Sequence, residues 1–319
     1  MQNNPLQYNI AISVLSFSVI VLLFYILKKR NFIQENITAL FVKILTQVIL
    51  PVTIFGQLID NVINLKHIEL ASAMFLSGIV CLVLAYAAGK LMRLENPTIG
   101  ALMMSSAFGS SALFGYPIIK MAFPNDPIAF EDAVIISELG VGLPIFILGP
   151  LIAMHFGKKR EEYSSVFHII ISYFKSPIFI AIVVGLGLSF IHLPFNSIYL
   201  SPFLKVFETL SGSMAIFACI ILALQLKPVV LKKIIPLIII SALIQMLAEP
   251  YICVLQNKIF NFSPSDLSIL ILLSSMPTAV IGTVFAAKFD CDSKTASALA
   301  MVNIILSVVM VPVINYWMK

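Results

Sequence analysis

Charge is what this 319-residue sequence has least of: Asp, Glu, Lys and Arg make up 11%, where a soluble chain carries about a quarter. That shortage excludes a water-soluble globular protein. With hydrophobic residues at 60% and a mean hydropathy of +1.03, it leaves a polytopic helical membrane protein. Cysteine is scarce too, and Cys81, Cys219, Cys253 and Cys291 lack metal-ligand spacing. Neither a His/Asp/Glu cluster nor a nucleophile–base arrangement stands in the apolar runs, so an enzyme, a metal site and a cofactor are not expected. Nucleotide-binding motifs are missing, so active pumping would need a separate ATPase subunit. There is no polar stretch long enough for a soluble domain. The first nine residues carry no positive charge and "KKR" (28–30) follows the first apolar run, a pattern unlike a cleaved signal.

What is abundant is apolar sequence in lengths near 20 residues, enough to cross about 30 Å of hydrocarbon as a helix. Ten such runs are expected, at 9–27, 38–59, 68–92, 98–121, 132–155, 176–192, 201–226, 234–256, 266–287 and 294–317. The charged stretch 157–175 divides them five and five, giving a first repeat over 1–156, a cytoplasmic linker over 157–175 and a second repeat over 176–319. Within the linker, "SSVFHIIISYF" has the pattern of an interfacial amphipathic helix. Fourteen lysines and arginines fall in the inner loops against five outside if both termini are external, the orientation that the positive-inside rule favours. These loops account for the net charge of +5, and no nucleic-acid partner is needed.

Two runs contain the worst helix formers at matching places. The fourth holds "SSALFGYPII" (110–119) and the ninth "LLSSMPTAVIGTVFAAKF" (272–289), each with a serine pair, a proline and a nearby glycine. Proline removes a backbone N–H and displaces the carbonyl of the preceding turn. In lipid each orphaned backbone group costs several kcal/mol unless protein, water or ligand satisfies it. Such helices therefore face a cavity or each other, and their half-helix ends offer dipoles to an anionic group. Five spans per half have odd parity, so halves of like fold insert as an inverted repeat. The fold expected is thus all-α, with ten transmembrane helices in two inverted five-helix repeats and crossed, broken fourth and ninth helices. The residues expected at the crossing are Ser110, Ser111, Gly115 and Pro117 from the fourth run, Ser275, Pro277, Thr278 and Ile281 from the ninth, and Asn303 from the tenth.

These motifs carry a resemblance. "SSALFGYPIIKMAFPND" (110–126) resembles the fourth helix of the auxin efflux carrier family, and "MPTAVIGTVFAAKFDCDSKTASALAMVNIILSVVMVPVI" (276–314) its ninth and tenth. "LFVKILTQVILPVTIF" (40–55) is similar to the family's second helix, with Lys43 eight residues before Pro51. The resemblance implies a fold similar to the sodium-coupled bile acid transporters. A transport domain would carry the crossed helices, and a scaffold would be built from the first, second, sixth and seventh spans. It also implies elevator-type movement of small organic anions, dicarboxylates such as malate or aromatic carboxylates such as auxin, across the plasma membrane by a homodimer embedded in lipid. Where the family commonly has asparagine, this chain has Ser110 and Ile281; where a basic residue is frequent five before the eighth-span proline, it has Gln245.

Charges within the runs are the other candidates. Lys43 is read either as a snorkelling lysine or as one member of a buried ion pair. Glu138, where related carriers have a neutral polar residue, is read as a cavity-lining group that couples transport to H⁺ (Na⁺ being the other ion in question) or binds a cationic group, or else as a structural, protonated acid hydrogen-bonded to a neighbouring helix. Glu249 is read as a packing partner for Lys205 or Lys258, Glu208 as a partner of Lys205, and the histidines as solvated residues near the interfaces. Two other functions share such a fold: a sensor that binds a lipid without moving it, and a sodium/proton antiporter, for which Glu138 lacks the usual acidic neighbour.

Overall fold

The computed structural model describes residues 5–59, 64–124, 126–158, 163–189, 201–226 and 234–318. Regular structure among them is helical throughout. Apolar runs without a break form long helices because every backbone group must be satisfied within the segment. Seven are long and apolar enough to cross a membrane: Leu6–Lys29, Glu35–Leu58, Leu65–Leu91, Ile128–Phe156, Lys205–Gln225, Ile235–Phe260 and Ser293–Trp317. An eighth is possible geometrically if two helices joined at a 44° bend, Val166–Phe174 and Pro177–Ser189, count as one span. The chain is a multi-pass membrane protein. The segment expected as an interfacial helix is the first of that bent pair, and its Val166 and Tyr173 are buried.

In chain order the helices are α1 (Pro5–Lys29), α2 (Thr38–Ile44), α3 (Leu50–Leu58), α4 (Leu65–Leu91), α5 (Asn96–Ala107), α6 (Tyr116–Ala122), α7 (Pro127–Ser137) and α8 (Leu143–Phe156). They continue with α9 (Tyr163–Phe174), α10 (Pro177–Ser189), α11 (Ser201–Gln225), α12 (Ile235–Ala242), α13 (Glu249–Phe260), α14 (Pro264–Ser274), α15 (Ile281–Lys288) and α16 (Ser293–Trp317). Four wide π-type turns, Leu45–Ile49, Ser111–Gly115, Glu138–Gly142 and Leu243–Ala248, lead directly into α3, α6, α8 and α13. In each case the second residue of the following helix is a proline: Pro51, Pro117, Pro144 and Pro250. A proline ring cannot sit against the carbonyl four residues back, and widening the preceding turn makes room for it without ending the helix.

The fourth and ninth expected spans are interrupted. Between α5 and the turn before α6, Phe108 is extended (φ −131°, ψ 105°) and Ser110 leaves helical geometry (φ −81°, ψ 58°). Between α14 and α15 the chain passes through Met276–Val280. Gly109 and Thr278 form an isolated antiparallel bridge that joins the two interruptions. The place of contact differs from the sequence expectation in one respect. Pro277 is at the contact, but its opposite number is Gly109–Ser110, whereas Pro117 sits seven residues further on, accommodated by its wide turn.

Packing sorts the helices into two sets. α1 lies on α11, and α3 lies on α10 and α11. α4 packs on α5, α13 and the Glu138–Gly142 turn, while α14 packs on α7 and α13 and α15 on α16. Three helices touch both sets: α6 meets α1 and α11 on one side and α7 on the other, α16 packs on α1 as well as on α5 and α15, and α7 also meets α3.

Candidate functional site

A helix that stops in mid-membrane leaves carbonyls at one stump and N–H groups at the next. Here the two stumps satisfy each other. The Ser110 N–H donates to the Pro277 carbonyl at 2.6 Å, and the Ala279 N–H donates to the Phe108 carbonyl at 2.8 Å. The Ser105 carbonyl, which a continuous helix would have given to Gly109, accepts instead from Thr278 Oγ1 (2.5 Å) and Ser241 Oγ (3.1 Å). Asn303 Nδ2 in turn donates to both hydroxyls, at 2.8 Å to Thr278 and 2.9 Å to Ser241. Asn303 thus holds α5, α12, α16 and the second interruption together. Its Oδ1 is buried with no hydrogen-bond partner among the described residues. Gly109 permits the close approach: a β-carbon there would stand 3.3 Å from both Gln245 Nε2 and the Met276 carbonyl.

The structure therefore brings Ser110, Pro277, Thr278 and Asn303 together. Ser275 stands behind them, donating to the Leu272 carbonyl and accepting from Asn315 Nδ2 at 3.2 Å. Gly115 packs on α14, where a β-carbon would meet Leu273 Cδ2 at 2.6 Å. Ile281 is half-buried at the start of α15. Lys43 is apart from this group. It is exposed on α2, which packs on α11, and no ion pair forms to it among the described residues, so the geometry is that of a snorkelling lysine.

Glu138 opens the wide turn between α7 and α8 and is buried. Its Oε1 accepts from the Tyr116 hydroxyl at 2.6 Å, and beside it Ser111 Oγ and Ser137 Oγ lie 2.6 Å apart. The Tyr173 hydroxyl is buried on the same side with no hydrogen-bond partner among the described residues. A β-carbon on Gly142 would stand 2.9 Å from Glu138 Oε2 and 3.7 Å from that hydroxyl, so glycine keeps the space between them open. Ser111, expected at the crossing, and Tyr116, which precedes Pro117, thus belong to a polar cluster around this carboxylate.

Other charged groups fall where the sequence reading did not place them. Glu249 is buried and meets no lysine among the described residues; it accepts from Gln245 Nε2, with Ser77 Oγ 3.5 Å away. Gln245 is therefore the link from Glu249 to the interruption at Gly109. No ion pair joins Lys205 and Glu208 among the described residues. His67 is buried, with Nδ1 accepting from the Asn64 N–H (3.1 Å) and Nε2 lying 3.1 Å from Asp132 Oδ1 and 3.9 Å from Glu131 Oε1. Lys66 bridges Asp132 (3.1 Å) and Asp266 (2.8 Å). These contacts tie together the N-terminal halves of α4, α7 and α14.

A cleft of about 790 Å³ runs between the two helix sets. Glu35, Thr38 and Gln225 line one wall; Thr283, Lys294 and Thr295 line the other, and Val280, just past the second interruption, closes its floor. None of the crossing residues expected from sequence lines it. The signal that could have found it is the polar, small-residue run "DSKTAS" (292–297) at the head of an otherwise apolar helix.

A family description, "Membrane transport protein", matches residues 9–315. An uncharacterized transporter of Methanocaldococcus jannaschii is 25% identical over 303 residues, which cover 93% of this chain and 95% of that protein. Another uncharacterized transporter, of Methanothermobacter thermautotrophicus, is 24% identical over 307 residues, covering 94% of this chain and 95% of its own length.

Proposed function

The chain belongs to the membrane transport protein family, that of the auxin efflux carriers, and is a transporter rather than an enzyme; on that premise we propose that it is a secondary carrier of small organic anions. The observation that carries this reading is the hydrogen-bonded meeting of Ser110 with Pro277. Two helices begin at that meeting, and helix starts favour a carboxylate through their N–H groups and dipoles. The substrate class is a monocarboxylate or dicarboxylate, malate and indole-3-acetate being the extremes of polarity to try. Ser110, Ser111, Gly115, Pro117, Ser275, Pro277, Thr278, Ile281 and Asn303 form or support the binding point, and Glu138 is the group offered for H⁺ coupling.

The wider frame is ten spans in two inverted repeats, residues 1–156 and 176–319. The packing of α1, α3, α10 and α11 on one another supports a scaffold, and the remaining helices would move past it as an elevator. The cleft between the two sets is the solute path open in this conformation. The carrier sits in the plasma membrane as a homodimer through the scaffold, both termini outside, as the lysine and arginine distribution favours.

Counterflow in proteoliposomes tests the function. The unaltered protein is expected to exchange labelled malate or indole-3-acetate saturably. Ser110→Pro, whose φ of −81° suits proline and which removes the N–H given to Pro277 together with the Ser110 hydroxyl, is expected to abolish exchange while the thermal transition persists. Saturable binding without exchange would instead establish the sensor, and neither binding nor exchange of any carboxylate would remove the proposal.

A further inference from the structure

Lys120 stands one helical turn beyond Tyr116 in α6, on the same face. Its ammonium lies 4.5 Å from the centre of the Phe130 ring and donates to Ser211 Oγ of α11. The other half-buried lysines among the described residues have acids: Lys28 meets Glu35 at 2.8 Å, and Lys66 meets Asp132 and Asp266. Lys120 has none among the described residues, although it is half-buried. An ammonium has three protons to donate, and one hydroxyl and one ring leave it undersatisfied. Desolvating a cation without a counterion is unfavourable, and the balance changes when an anion arrives.

The place of Lys120 says which anion. α6 follows the first interruption directly and, like α16 and α7, meets both packing sets; its Lys120–Ser211 contact reaches across to α11 and so crosses the seam between them. The cleft opens near Gln225, at the far end of the same α11. Ser211 is fourteen residues earlier, roughly 21 Å of helix at 1.5 Å per residue. Lys120 therefore lies at the end of the seam that is shut in this conformation, one helical turn from the polar cluster of Tyr116 and Glu138.

We propose that Lys120, with the Ser211 hydroxyl, is a carboxylate-binding point on the closed side of the carrier. It takes the anionic group of the solute when the seam parts and gives it up when Ser211 and Phe130 return to the ammonium. This rests on the carboxylate-carrier reading above and adds a second, one-sided binding point to it.

The test is the sidedness of KM in oriented proteoliposomes, with labelled malate and labelled indole-3-acetate as probes. Lys120→Met is expected to raise KM at the closed face by about tenfold to a hundredfold, the range of one hydrogen bond to a charged group, and to leave KM at the cleft face unchanged. Lys120→Arg keeps the charge and is expected to restore most of the affinity. Ser211→Ala, which leaves the cation in place, is expected to shift KM at the same face alone. A merely structural seam would change rates from both faces alike, and that result, or an unaltered KM in both Lys120→Met and Ser211→Ala, overturns the proposal. Should Lys120→Met lose its thermal transition, Ser211→Ala and Lys120→Arg decide the matter by the same face-to-face comparison. Failure of the unaltered protein to exchange either probe would remove the parent reading and this one with it; normal exchange with symmetric effects removes this one alone.

Discussion

Gly140 and Met74 touch where no side chain on Gly140 could fit: a β-carbon there would stand 2.8 Å from Met74 Cβ and 3.0 Å from the Ala71 carbonyl. Both obstacles are held by the backbone of α4, so neither can swing aside. The contact seats the Glu138–Gly142 turn against α4 and fixes the height of the Glu138 carboxylate. Gly140→Ala is expected to destabilise the protein by about 1–3 kcal/mol, since overpacking outweighs the roughly 1 kcal/mol that alanine gains in a helix. Gly187→Ala and Gly212→Ala meet nothing within 4 Å and serve as controls expected to leave the melting temperature equal or higher. Thermal melts in detergent read all three.

Glu138 gives a second prediction. Glu138→Gln keeps an acceptor for the Tyr116 hydroxyl and removes only the ability to bind and release a proton. Exchange is expected to continue with its pH dependence flattened, whereas Tyr116→Phe retains a pH dependence displaced from that of the unaltered protein, because the carboxylate loses the Tyr116 hydroxyl but still titrates. An identical pH profile in Glu138→Gln and the unaltered protein would take Glu138 out of coupling and leave it a packing acid.

The hydroxyl of Thr278 both accepts from Asn303 and donates to the Ser105 carbonyl. Thr278→Val keeps the shape and breaks both bonds, at an expected cost of about 1–3 kcal/mol for buried polar groups left unpaired. Asn303→Ala removes the same link from the other end. The double variant is expected to lose less than the sum of the two, since the shared bond is lost only once. Full additivity would mean that the two side chains stabilise the crossing independently.

How much of this was legible in the sequence depends on how far the deciding interaction reaches along the chain. The seven long helices were, because an unbroken apolar run has no other way to satisfy its backbone in lipid. The two interruptions were, because Ser, Pro and Gly recur at matched places. Their contact point was not: the fourth span breaks at Gly109, where the partner strand from Pro277 arrives, and Pro117 is absorbed by a wider turn that local sequence does not distinguish from a kink. The cluster of Lys66, His67, Glu131, Asp132 and Asp266 was invisible for the same reason. Its members come from three separate segments and each reads alone as a solvated interfacial residue. Glu249 was matched to lysines by charge, whereas burial selected the neutral Gln245, four residues away on its own helix.

The four cysteines make the cleft accessible to experiment. Cys81, Cys219, Cys253 and Cys291 are all free and buried. At Cys291, in the turn between α15 and α16, burial pushes the thiol up to about 12, and the negative charges of Asp290 and Asp292 push the same way. The reactive thiolate is therefore scarce at neutral pH, and a thiol that is also enclosed does not meet a bulky reagent. The unaltered protein is expected to resist a membrane-impermeant maleimide applied to either face of a vesicle. Thr283→Cys places a thiol on the wall of the cleft and is expected to label rapidly, from one face only, and more slowly when malate occupies the path. Labelling of Thr283→Cys from both faces at equal rates would mean that the cleft is open at each end in the membrane, against the closed seam at Lys120 and Ser211. Rapid labelling of the unaltered protein would mean that the bundle opens around its cysteines far more often than their burial allows.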